Sequence, residues 1–95
     1  MKKNVKSIGK KIRPVLRYYD VKKAAIFGSF ARGEGKKGSD VDILVEFRGQ
    51  KSLLDLASLK IKLEKSLHNK VDVITYNSLH PLLRERILRE QKVIL

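Results

Sequence analysis

The chain has no cysteine and no tryptophan, two prolines, and few aromatic residues, 6% in all. Without cysteine it forms no disulfide and offers no thiolate to zinc, a usage that fits a reducing cytoplasm, the expected location. Acidic residues are scarce too: ten Asp and Glu face 22 Lys and Arg, for a formal net charge of +12. No apolar run approaches the ~20 residues that span a bilayer, and the basic start lacks the apolar core of a signal peptide, so no membrane association is expected. No repeat, low-complexity tract or linker divides the 95 residues. The expectation is one domain over residues 1–95, long enough for one hydrophobic core and too short for two.

What is abundant is positive charge. It implies attraction to polyanions, whether nucleic acid, nucleotide phosphates or an acidic partner surface, and does not choose among them. Much of it sits at Lys2, Lys3, Lys6, Lys10, Lys11, Arg13 and Arg17. A solvated helix face is the favoured reading there over a nucleic-acid patch, because no aromatic side chains interleave with those charges as stacking platforms.

Val5, Ile8, Ile12, Val15, Leu16 and Tyr19 recur at helical spacing and predict a helix over 4–19, which Pro14 either kinks or splits. Residues 23–27 are apolar at the centre and stopped by Gly28, as in a buried strand; 41–47 is β-branched and reads as a second strand. Ser52 and Asp55 form a capping box ahead of a helix whose inner face carries Leu53, Leu56, Ala57, Leu63 and Leu67. A third strand follows at 71–75. A last helix is expected to be capped by Asn77 or Ser78, to have Pro81 in its first turn, and to face Leu82, Leu83, Ile87 and Leu88 inward. Residues 93–95 can add a short edge strand. The order α, β, β, α, β, α predicts an α+β fold: a small mixed sheet of three to four strands packed by helices.

The stretch from Gly28 to Asp42, GSFARGEGKKGSDVD, concentrates the polar chemistry. Gly33, Gly35 and Gly38 match the dinucleotide fingerprint by letter, but that fingerprint opens a helix, and here a strand follows; these glycines read as a flexible bridge. Gly28-Ser29 is better placed. It follows a strand, and Phe30-Ala31-Arg32 can start a short helix, leaving backbone amides and the Ser29 hydroxyl to face an anion. The alternative is an ordinary turn with a serine cap.

Asp40 and Asp42, two apart at the start of an extended segment, point to one face and can grip a hard cation. Asp72 interrupts an apolar strand, so it needs a cation, a basic partner or an exposed edge. If the two strands are neighbours, three carboxylates converge, and Mg²⁺ held by carboxylates and substrate phosphates is the common way to neutralise them. Pairing with lysines or arginines is the competing account. His68 and His80 have no partner at metal spacing and read as surface or capping residues.

Gly28-Ser29, ten intervening residues, Asp40-Val41-Asp42 and then Asp72 on a later strand resemble the signature of the DNA polymerase β-like nucleotidyltransferases. FGSFARG and SDVDILVEF are most similar to the minimal nucleotidyltransferases found as antitoxins beside HEPN-type toxins. The resemblance covers nearly the whole chain. It implies that Gly28 and Ser29 hold a nucleoside triphosphate and that Asp40 and Asp42 bind two Mg²⁺ ions. Asp72 then takes the acceptor's proton or completes the second ion's shell. Arg32 fits the family's Ala-Arg-Gly and either reaches a phosphate or braces the loop. The activity implied is transfer of AMP from ATP to a hydroxyl, such as a tyrosine of a HEPN toxin. Two alternatives stand beside it: a non-catalytic antitoxin or basic RNA-binding module, and a catalytic subunit acting on a small molecule or nucleic-acid end.

Overall fold

A computed structural model describes residues 4–36 and 38–95. Lys2 and Lys3 of the amino-terminal basic cluster lie outside the described residues. The chain runs α1 (Val5–Tyr18), β1 (Val21–Phe27), α2 (Gly28–Ala31), β2 (Val41–Phe47), α3 (Leu53–Leu67), β3 (Val71–Thr75), a 3-10 turn at Tyr76–Ser78, α4 (Pro81–Glu90) and β4 (Lys92–Val93). This is the expected α+β order, with the edge strand at Lys92–Val93 and not over 93–95.

Local chemistry explains most boundaries. Asn4 caps α1 through the Ser7 amide while Ser7 returns the bond, and Ser52 and Asp55 do the same for α3. Each pair satisfies amides that a helix start leaves without an internal acceptor. α1 continues unbroken through Pro14, so of the two expected outcomes, kink or split, the split does not occur. Four helical residues follow Pro14, enough to finish the buried stripe at Leu16. The last helix departs further from expectation. Asn77 and Ser78 belong to the 3-10 turn, and His80 is the cap, accepting from the Leu82 amide at 3.2 Å.

The sheet order is β3-β2-β1-β4: β1 is antiparallel to β2 and β4, and β2 is parallel to β3. A parallel pair needs a crossover, and α3 supplies it. α1 and α3 cover one face. Ile8, Ile12 and Leu16 meet Leu59, Leu63 and Leu67 there, over Val21, Ala24 and Ile26 of β1 and Val41, Ile43 and Val45 of β2. The tail is tied to the same layer: Arg13 Nε donates to the Ile94 carbonyl at 2.6 Å, and Ile94 is buried.

The opposite face is thinly covered. Ala25, Phe27, Leu44 and Leu79 form a small cluster, with Ile87 and Leu88 of α4 packed against it. Leu82 and Leu83, expected to face inward, are 86% and 50% exposed, and Leu53 at the start of α3 is also exposed. Ile87 and Leu88 pack as expected, so the helical face is right but only its second half meets the sheet: among the described residues the apolar contacts of α4 with the small cluster are those two. Because stability follows burial, Leu63→Ala should cost about 3 kcal/mol and Leu82→Ala less than about 0.5 kcal/mol, measured by urea unfolding.

Candidate active site

The site begins with an alternation. Val41, Ile43 and Val45 point into the helix-covered core, so Asp42 points to the other face. Asp42 lies opposite Phe27, the last residue of β1, in the antiparallel register, and opposite Asp72 in the parallel one. The middle strand therefore hands its carboxylate to the turn on one side and to a second carboxylate on the other.

Gly28 turns out of β1 with φ of +72°, and a Cβ on it would collide with Oδ2 of Asp42. Two reasons thus require glycine there: a left-handed conformation and a carboxylate in contact with the backbone. The residues after it make the short α2, anchored by buried Phe30 and Ala31. The first amides of such a turn have no acceptor inside the helix. The Ser29 side chain makes no hydrogen bond to a described residue. Gly35 is not merely a bridge, contrary to expectation: a Cβ there would run into the Phe30 ring, so the loop folds back and packs on α2. The Glu34 amide closes it onto the Ser29 carbonyl at 2.8 Å. β2 and not a helix follows Gly38 and Ser39, in line with the rejection of a dinucleotide fingerprint.

Asp42 is half-buried, and its carboxyl is pushed up to about 6, first by burial, then by the charge of Asp72, then by that of Asp40; Arg32 pulls it back. The three predicted carboxylates therefore share one field. Among the described residues no hydrogen bond or ion pair reaches any of the three, so the competing account, pairing with lysine or arginine, is not what the structure holds. Nor, among the described residues, is any group of three acidic, histidine or cysteine side chains closed around a point where one metal ion would sit. Asp40 lies just ahead of β2 and is exposed, and Asp72 is exposed on an edge strand. The exposed edge is thus one of the three expected settings that Asp72 has. The donor set itself suits a hard divalent cation: three unpartnered carboxylates, one resisting ionisation in the field of the others.

Arg32 is engaged. Its Nε lies 3.1 Å from Glu34 and its Nη1 3.4 Å from Glu90, which also pairs with Arg86. These contacts tie the glycine loop to α4 while keeping a positive charge in the field of Asp42. Glu90 was not foreseen. It is 58 residues from Arg32, and no local pattern marks an acid at the end of a solvated helix.

The family described as Polymerase beta, Nucleotidyltransferase matches residues 10–95. A protein of Methanocaldococcus jannaschii named as a candidate protein adenylyltransferase is 59% identical over 87 residues, which are 92% of this chain and 94% of the relative. A solved structure described as a candidate minimal nucleotidyltransferase superposes with a TM-score of 0.81 at 34% identity, covering 95% of both chains. A chain from a crystal structure of a toxin-antitoxin with AMP-PNP also gives 0.81, at 25% identity over 92% of this chain and 72% of that one. The match over nearly the full length, on this turn and these strands, defines an α+β nucleotidyltransferase. The chain belongs to the polymerase β nucleotidyltransferase family, and its relatives place it with the minimal members.

A raised carboxyl has a sign that can be tested. Asp42 titrates near 6 in the folded chain and near the usual ~3.9 when unfolded, so the native state holds the proton more tightly. Its ionisation therefore weakens the fold as pH rises from about 4 through 6, and the full cost is present at pH 7. In metal-free buffer Asp42→Asn should raise stability at pH 7 by about 1 kcal/mol, the half-exposed group being screened by water. The gain should vanish below about pH 4, as read by melting temperature.

Proposed function

We propose that the chain transfers AMP from ATP to a hydroxyl of a partner protein, a tyrosine of a HEPN-type toxin, and silences the toxin by doing so. The observation that carries this reading is the contact of the Gly28 turn with Asp42, itself coupled to Asp72 and Asp40. That contact supports reading the turn as an anion site set against a carboxylate cluster, the two halves that a metal-bound triphosphate needs. The protein adenylyltransferase relative and the toxin-antitoxin structure with AMP-PNP support the nucleotide and the kind of partner.

In this reading Gly28 lets a phosphate lie against the backbone, and Ser29 donates to it through its free hydroxyl. Asp40, Asp42 and Asp72 would hold Mg²⁺, two ions in the full assembly, which would supply charge neutralisation for the phosphates and lower the pKa of the acceptor hydroxyl. The acceptor oxygen forms a bond to the α-phosphorus, the bond from that phosphorus to the bridging β-oxygen breaks, and pyrophosphate leaves. The acceptor's proton passes to a carboxylate oxygen of Asp72, which is exposed and can reach an incoming side chain. Arg32 stays on Glu34 and Glu90 and holds the turn in place for this step.

Incubation with α-labelled ATP, Mg²⁺ and the partner toxin should label the toxin. Asp42→Asn should cut transfer by about 10³-fold, the scale of several kcal/mol of charge stabilisation, and chelation should abolish it. Equal labelling by wild type and Asp42→Asn would overturn the reading. Undiminished antitoxic activity of Asp40→Asn with Asp42→Asn would establish neutralisation by binding alone. Arg32→Ala should raise KM for ATP more than it lowers kcat, because a loosened turn binds the triphosphate less well.

A further inference from the structure

Arg32 stands beside three unpaired carboxylates and bonds to none of them. Its amide donates to the Gly28 carbonyl at 3.2 Å, and Gly28 is the residue against which Oδ2 of Asp42 lies, so a guanidinium swung inward from the loop can reach that oxygen. Among the described residues Arg32 is also the cation whose charge acts on Asp42. A charge-assisted, two-pronged bond between arginine and carboxylate is the ordinary outcome of such a meeting. It would fill the place that a metal ion needs.

Two glutamates take the guanidinium instead, and they are not equivalent. Glu34, 3.1 Å from Nε, lies on the same loop with its side chain 62% exposed, a setting in which water weakens an ion pair. Glu90, 3.4 Å from Nη1, closes α4 and is 31% exposed. Its other oxygen, Oε1, accepts from Arg86 Nε at 3.3 Å one helical turn back, and that bond above all holds the Glu90 carboxyl below its usual range and so ionised. The end of α4 is itself fixed: Ile87 and Leu88 pack on the small cluster, and the Tyr76 hydroxyl donates to Gln91 Oε1 at 2.7 Å. Glu90 is therefore a charged acceptor presented to Arg32 from an anchored element.

We propose that Glu90 is a positioning residue of the site: assisted by Glu34, it holds the Arg32 guanidinium away from Asp42 and so leaves the carboxylates open to a divalent cation. Without Glu90, Arg32 turns to Asp42 and competes for the cation's place. This role rests on the proposed assignment of Asp40, Asp42 and Asp72 to metal, and Glu90 touches neither the metal nor the nucleotide. An ion pair that only docked α4 on the loop would leave cation binding the same whether or not Arg32 is present.

The test is Mn²⁺ binding to the full chain without ATP or toxin, followed by the electron paramagnetic resonance of the free ion. Glu90→Gln should weaken binding roughly fivefold, the scale of a partly exposed ion pair. Arg32→Gln should bind Mn²⁺ at least as tightly as the wild type, and adding Glu90→Gln to it should change the affinity less than about twofold, because the competitor is gone. In the metal-free protein the Arg32 Nε–H resonance should move in Glu90→Gln, and Asp42→Asn should cancel that movement by removing the new partner. Wild-type Mn²⁺ affinity in Glu90→Gln would overturn the proposal and leave the metal assignment standing. Equal weakening by Glu90→Gln with and without Arg32 would also overturn it, since a general loss of negative charge would then account for the effect. A wild type that binds Mn²⁺ no better than Asp42→Asn would overturn the metal assignment itself and this role with it.

Discussion

Oδ2 of Asp42 occupies the place where any side chain on residue 28 would have to begin, and much of the site follows from that contact. β1 ends at Phe27, opposite Asp42, so the chain leaves the sheet beside a half-buried carboxylate and can do so only as glycine in a left-handed turn. The same register sets Asp72 on the other side of Asp42. A shift of one residue in either pairing would send Asp42 into the helix-covered core and Val41 to the site. The hydrophobic demand of Val41, Ile43 and Val45 is what forbids that shift, so the core and the placement of Asp42 are specified by one alternating pattern.

Charge is segregated by the sheet. On one face three carboxylates stand without described partners, and their mutual field helps keep the proton on Asp42 well above the usual range. On the other, α1 and α3 hold cations that meet no described acid. The two faces do not neutralise each other because the sheet and its apolar layer lie between them. Each face is left with an uncompensated field of its own sign, the condition in which an ion of opposite sign gains most by binding.

On the thinly covered face a longer-range tie joins the elements: Arg32 spans from the glycine loop to Glu90 of α4. Phe30, buried with the main core, packs on Gly35 and holds the loop against α2. α4 contributes Ile87 and Leu88 to the small cluster and leaves Leu82 and Leu83 in water. The elements, the α3 capping box and the edge strand were legible because each rests on residues a few positions apart. How much of α4 is covered was not: Ile87 and Leu88 pack as their spacing suggests, but whether Leu82 and Leu83 also meet the sheet depends on where the 3-10 turn and His80 launch the helix. The Glu90 contact was also hidden, since it joins residues distant in the chain.

By itself the sequence determined where the helices and strands run, the period of each strand, the place of the glycine turn after β1 and the identity of the carboxylates, because backbone conformation and side-chain alternation are local properties. Only the tertiary structure decided that Asp42 touches Gly28, that Asp72 sits on an exposed edge, that Arg32 meets Glu90 and that the two basic helices share a face. Those facts depend on strand order and register, which are set by burying one common core, and no stretch of chain carries that information alone.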